Sequence, residues 1–147
     1  MGMVPTLKLW RFELTRVGVP ADIVDRYQAT GVEQLRAFAA AGGEVLFGTD
    51  VGYMTDYDPT EEYRKMAEAG LDVKAILAAL TLNPARRFDD PGLKGIVAPG
   101  RQADLVVLGA DPGLDVSHFA NVYYTIRSGR VIYERETTAV DPTRKVR

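Results

Sequence analysis

The stretch EVLFGTDVG, residues 44–52, decides how the chain is read. An apolar run at 45–47 is broken by Gly48 and ends in a lone carboxylate, Asp50. This is the pattern of a buried strand that delivers one acid to its C-terminal end, where parallel sheets and barrels keep their chemistry. The residues alone leave a second reading open. Asp50 would then be a loop aspartate that bonds its own backbone.

Upstream, Thr30 and Glu33 have capping-box spacing, Leu35, Phe38 and Ala39 form an apolar face, and Gly42-Gly43 supplies a stop. A helix is therefore expected from Thr30, with a separate one over 20–27 that carries Ile23, Val24 and Tyr27 on one side. Residues 4–10, VPTLKLW, have an extended pattern, with Pro5 suited to the start of a strand or an edge. No cap or polar lead-in precedes them, which leaves two readings open: a Met-Gly start attached to a piece of something longer, or a native Met1. Strand, helix and strand with short connections is the grammar of a parallel βαβ unit.

Downstream, Asp58, Pro59 and Glu61 predict a helix start with an acidic cap and proline at the first helical position. Tyr63, Met66 and Ala67 face inward and Gly70 ends the helix. Asp72 caps a further helix over 73–82 with Ile76, Leu77 and Leu80 inward, and Asn83-Pro84 restarts a short turn. From residue 89 the texture changes to turns, Asp90-Pro91-Gly92 and Ala98-Pro99-Gly100, between short β-like runs at 95–97, 104–108, 122–127 and 131–134. Ser128-Gly129 is a compact hairpin signal. The expected organisation is an α/β portion over 1–88, a small β portion over 89–135 and a mobile tail over 136–147.

Composition narrows the function classes. The 147 residues are 46% hydrophobic and 26% charged, enough for one sizeable domain or two small ones. A net charge of -2 argues against an electrostatic nucleic-acid binder. No apolar run is long enough to span a membrane, and residues 1–10, without a charged segment followed by an apolar one, are not expected to be a secretory signal. The absence of cysteine excludes disulfides, zinc thiolates and thiol catalysis, and fits a cytoplasmic location. Neither a dinucleotide nor a P-loop glycine motif is present.

The order of these pieces resembles the C-terminal portion of an amidohydrolase-superfamily enzyme, with the imidazolonepropionase-like and Xaa-Pro dipeptidase-like group closest in flavour. The resemblance spans residues 4–134 and is most specific at LTLNPARRF and LKGIVAPGRQADLVVL, followed by VYYTIRSGRVIYE. These motifs are architectural. Gly95 and Gly100 permit turns, and Asp104 is a turn or strand-end hydrogen bonder.

The resemblance implies a fold class: α/β, the last two βα units of a metal-dependent (β/α)8 barrel plus the C-terminal half of a small β-sandwich. Residues 4–9 match the seventh barrel strand and 45–47 the eighth. Asp50 falls on the aspartate that binds a divalent metal, zinc above all, and acts as general base on the metal-bound water. Tyr53 and Tyr57 could line a pocket for a small amide, cyclic amide or dipeptide. An ordinary polar loop with aromatic packing is the competing account of them.

The rest of the family's metal set, an HxH pair, a lysine or glutamate and two strand-end histidines, has no counterpart here. The single histidine, His118, lies in the small β portion and is expected to be a satisfied or solvent-facing residue. Two functional readings follow. Either the chain is an amidohydrolase-related hydrolase fragment, inactive until other residues complete its site, or it is a non-catalytic structural or interaction module derived from one. In both, open parallel edges predict a homo-oligomer or association with the missing barrel portion.

Overall fold

The computed structural model describes residues 1–88, 92 and 94–136. The expectations for the Asp90-Pro91-Gly92 turn and for the tail beyond residue 136 fall outside these residues, wholly or in part. The order of elements begins β1 (Gly2–Met3), α1 (Leu7–Arg16), α2 (Ala21–Ala40) and β2 (Glu44–Val45), and continues with α3 (Thr60–Glu68), α4 (Val73–Leu80) and α5 (Leu82–Arg87). It ends with β3 (Leu105–Leu108), a 3-10 helix (Val116–Ala120), β4 (Val122–Arg127) and β5 (Arg130–Glu134). β1 and β2 form a parallel pair with Gly2 opposite Glu44, whereas β3-β4-β5 form an antiparallel sheet. Among the described residues no helix is long and apolar enough to cross a membrane.

The parallel pair is shorter than the sequence suggests, and residues 4–9 are not a strand. The chain leaves β1 after Met3, passes through Thr6 in a left-handed conformation (φ 46°) and enters α1 at Leu7. The helix wins because its first amides find a remote acceptor, the carboxylate of Glu62, which no local pattern reveals. Residues 21–40 form one helix rather than two. Thr30 does not cap a helix start; its hydroxyl donates to the Arg26 carbonyl one turn back. Gly31 is there for closeness: a Cβ would sit 2.9 Å from Leu7 Cδ2, so glycine lets α1 lie against α2.

β2 ends at Val45, but residues 46 and 47 continue the extended path. The Leu46 amide donates to the Met3 carbonyl at 2.8 Å, while Phe47 turns the other way and donates to Ala79 at 3.1 Å. The Asn83 side chain donates to the Val45 carbonyl at 2.8 Å. Asn83 therefore sits inside α5 and seals the outer edge of β2; it is not the cap of a new helix. Of the two parallel edges expected to be open, that of β2 meets α4 and α5.

The rest of the helical punctuation largely follows the sequence. Asp58 accepts from the Thr60 amide at 2.9 Å just ahead of α3, Asp72 accepts from the Ala75 amide at 2.8 Å, and Gly70 terminates α3 with φ 94°. Leu77 departs from expectation: it is 49% exposed, because Ile76 and Ala79 take the inward face of α4. No strand forms at 95–97, where Ile96 and Val97 are exposed after the turn at Gly95 (φ 85°). The hairpin is as read: Ser128 (φ 49°) and Gly129 (φ 78°) occupy a two-residue turn that matches the twist of β4 and β5. Asp104 accepts from the Ser128 amide at 2.7 Å and so ties β3 to that turn.

One hydrophobic cluster runs through both portions. Leu7, Val32, Leu35, Val45, Met66 and Ile76 are joined by Phe119 from the 3-10 helix, with Leu108 and Val116 against it. A run of rings makes the join: Phe47 stacks on Tyr63 at 4.8 Å between centroids, and Tyr63 meets Phe119 at 5.4 Å.

Candidate functional site

Both parallel strands deliver their C-terminal ends to the same side of the molecule, and each is followed by a non-glycine residue in the left-handed region, Thr6 and Asp50 (φ 54°). Such a conformation is uncommon for residues with a β-carbon, and for the β-branched Thr6 it is strained. The strand ends approach closely. A Cβ on Gly48 would lie 2.4 Å from Val4 Cγ1, so glycine is required between the apolar run and Asp50.

The Asp50 side chain is exposed. Its carbonyl accepts from the amides of Tyr53 and Met54, both at 3.1 Å, which curls the chain into a tight turn anchored by the buried Met54. The carboxylate is thus presented to solvent while its backbone carries the turn. It is the Asp50 carbonyl that shapes the loop.

The neighbouring acids are committed elsewhere. Glu62 is 0% exposed, and its two oxygens accept from the backbone amides of Leu7 (3.1 Å) and Lys8 (2.8 Å). Burial pushes its carboxyl up to about 7, against the pull of those two amides and with the help of the Glu61 and Asp50 charges. Asp56 pairs with the Lys8 ammonium at 2.8 Å and accepts from the Asp58 amide; these bonds, the lysine foremost, hold its carboxyl below the usual range. Asp58 is held low chiefly by the Thr60 hydroxyl and amide.

Asp50 therefore stands without a second available acid beside it. Among the described residues no group of three or more His, Cys, Asp or Glu could hold a metal ion. The described residues by themselves do not make up a metal centre. His118 is remote from this in role: its Nδ1 lies 2.8 Å from the Asp111 carbonyl within the 3-10 helix region, a satisfied histidine as expected.

Tyr53 and Tyr57 follow Asp50 but remain 67% and 70% exposed. Tyr53 lies near the α1 pair Glu13 and Arg16; Arg16 foremost, with Tyr53 as a minor contributor, keeps the Glu13 carboxyl low. A cavity of about 530 Å³ is found elsewhere, between β1, α1 and α2, lined by Met3, Pro5, Trp10, Tyr27 and Gln34 among others. It contains neither tyrosine of the loop nor Asp50.

Sequence reading missed Lys8 and Glu62, the two charged residues buried next to this site. One signal was available: Glu62 precedes Met66 by four positions, which puts it on the inward face of α3.

A sequence model of the amidohydrolase family matches residues 14–132. Among curated proteins, an adenine deaminase from Methanothrix thermoacetophila is 39% identical over 80 residues, covering 53% of this chain and 11% of its own length. Among solved structures, a Xaa-Pro dipeptidase with bound methionine in the active site superposes with a TM-score of 0.75 at 26% identity, over 92% of this chain and 35% of that one. A prolidase complexed with N-methylphosphonate-L-proline gives 0.71 at 26% identity, over 91% and 35%. The chain thus spans about a tenth of the curated relative and about a third of the solved ones. With the family match covering most of its length, this α/β chain belongs to the amidohydrolase family.

Proposed function

We propose that the chain is the C-terminal part of a metal-dependent amidohydrolase, and that its part in the reaction is to supply Asp50 to a site completed by residues outside it. The reaction class is hydrolysis of a carbon–nitrogen bond in a small amide, cyclic amide or dipeptide. Residues 1–88 then correspond to the last two βα units of a (β/α)8 barrel and 89–135 to half of a small β-sandwich. The observation that carries this reading is the placement of Asp50: an exposed carboxylate at the C-terminal end of β2, on a strained backbone, with every neighbouring acid engaged. The likeness to a Xaa-Pro dipeptidase supports the reaction class.

A divalent metal, zinc in the first instance, would supply an activated water when bound to the completed site. Asp50 alone does not hold one, since catalytic zinc sites draw on several protein ligands. No step through the metal is therefore assigned to this chain. Its own contribution is an exposed carboxylate, the group that takes a proton in general base catalysis. Tyr53 and Tyr57, on the same loop as Asp50 and both exposed, are the residues we assign to the substrate side of the completed site. The lack of cysteine supports a cytoplasmic setting.

The test is reconstitution. The purified chain with added zinc is expected to show no hydrolysis of Xaa-Pro dipeptides or simple amides. Combined with the complementary portion of a related amidohydrolase, it is expected to give zinc-dependent turnover that Asp50→Asn lowers by roughly 10²–10⁴. Turnover by the chain alone, or a reconstituted enzyme indifferent to Asp50→Asn, would overturn the reading. A reconstituted assembly with no turnover would favour the non-catalytic module.

The same geometry predicts association. Among the described residues β1 pairs with one strand only, and Trp10 and Tyr27 stay partly exposed beside the cavity. Unpaired strand edges invite pairing with other chains. Light scattering at micromolar concentration is expected to give a dimer or larger species, and a monodisperse monomer would contradict it.

A further inference from the structure

We propose that Lys8 and Glu62 are positioning residues for Asp50: together they pin the start of α1 and the loop 50–58 to α3, and so fix where the Asp50 carboxylate stands at the end of the sheet. The proposal rests on Asp50 being the reacting carboxylate.

The pin is built in two stages. The first is Glu62. Thr6, at the helix start, makes no side-chain cap bond to α1, so the first amides of the helix would be unpaired. Glu62 reaches them from 55 residues downstream, one oxygen on the Leu7 amide and the other on the Lys8 amide. A carboxylate at a helix N-terminus is favourably placed in both hydrogen bonding and field. The bond locks α1 to α3 at the ends of β1 and β2, where Thr6 and Asp50 hold their unusual backbone angles.

The second stage is Lys8. Its side chain is only 5% exposed, yet its ammonium is fully used. It donates to the Asp56 carbonyl at 3.3 Å and to the Asp58 carbonyl, and pairs with the Asp56 carboxylate at 2.8 Å. Three donors thus meet three acceptors on a single loop. That loop begins at Asp50. Its near end is the turn closed by the Tyr53 and Met54 amides, its middle is held by the buried Met54, and its far end is held by Lys8.

A buried cation costs more to desolvate than an apolar residue of the same shape. What it supplies here is direction: an apolar side chain at position 8 would fill the space but would not hold the carbonyls of Asp56 and Asp58. Residues in strained conformations persist only where the surroundings over-determine them. The pin supplies that constraint for Asp50 without touching its carboxylate.

Amide hydrogen exchange by NMR on the full chain tests the proposal. Lys8→Met keeps the buried stem and removes the ammonium. In that variant the Tyr53 and Met54 amides are expected to exchange about tenfold faster, with Leu35 in α2 and Thr125 in β4 unchanged. Lys8→Arg, which keeps a cation and several donors, is expected to restore most of the protection. Unchanged exchange at Tyr53 and Met54 in Lys8→Met would overturn the proposal. So would an equal rise at Leu35 and Thr125, or no rescue by arginine, since either makes Lys8 an ordinary part of the core. If Lys8→Met does not fold, Asp56→Asn decides. It removes the ion pair from the loop side, at a side chain 53% exposed, and is expected to loosen the same two amides. The readout is independent of hydrolysis, so failure of the pin and failure of Asp50 as the reacting group are seen separately.

Discussion

Phe119→Ala is expected to lower the free energy of unfolding by about 3–5 kcal/mol. Phe119 is 6% exposed and is the member of the 3-10 helix that enters the common hydrophobic cluster. Its removal takes away the apolar area of the ring and opens a cavity against Tyr63, at a place where little can collapse. On one side stands Tyr63, itself stacked on Phe47; on the other are Val116 and Ala120 of the same short helix. The aromatic contact adds about 0.5–1.5 kcal/mol beyond area burial. Against a usual total of about 5–15 kcal/mol, such a loss is a large share of the stability. Urea denaturation followed by tryptophan fluorescence, with Trp10 in α1 as the probe, reads it. The midpoint should fall even though Trp10 lies in the α/β portion, because the rings make one cooperative unit of both portions. Leu114→Ala, at a residue 83% exposed, is the comparison and should change stability by less than about 0.5 kcal/mol. A Phe119→Ala chain whose Trp10 transition does not move would show that the two portions unfold separately.

The second large effect is a pH dependence owed to Glu62. In the unfolded chain its carboxyl titrates near 4.5, and burial in the folded state raises it to about 7. Between these values the folded chain holds a proton that the unfolded chain has lost. The associated stability is therefore fully present below the lower value and is lost as pH rises through the upper one. The separation corresponds to about 3 kcal/mol. Asp56, Asp58 and Asp115, whose carboxyls are held below their usual value, act in the opposite sense. Their contribution is lost as pH falls through the folded values, which lie below 3.8 and outside the Glu62 window. Denaturation between pH 4.5 and 8 should thus show wild-type stability declining relative to Glu62→Gln, which cannot ionise. Parallel curves for the two chains would contradict the assignment.

These residues also mark what the sequence could and could not reveal. Local chemistry was legible. Ser128-Gly129 announced its turn, Asp72 its helix and Gly70 the end of another, because each acts on amides within a few residues. The family motifs were legible for the same reason: they are contiguous. Helix α1 was not, since VPTLKLW alternates like a strand and the carboxylate that makes it a helix lies far along the chain. Gly31 carries no local sign of its use, which is to admit Leu7. Asn83 read as part of the turn restarted with Pro84, for a related reason. It serves an acceptor 38 residues away, the Val45 carbonyl. At the candidate site, Asp50 could be picked from its position after an apolar run; the spacing to Met66 could place Glu62 on the inward face of α3 but not say what it bonds, and nothing local marked Lys8. Their roles exist only once α1, α3 and the loop have met.

The sealing of β2 by Asn83 has a consequence for the order of assembly. The β4–β5 hairpin closes through a two-residue turn and can form within microseconds, without reference to the rest of the chain. The parallel pair has no such shortcut. Gly2 must find Glu44 across two helices, and the outer edge of β2 is satisfied only when α4 and α5 arrive from the other side. Pairings of that kind pay for loop closure before any contact rewards them, and so form late. The sheet end that bears Asp50 is accordingly among the last parts of the molecule to take shape, and its formation reports that the surrounding helices have already docked.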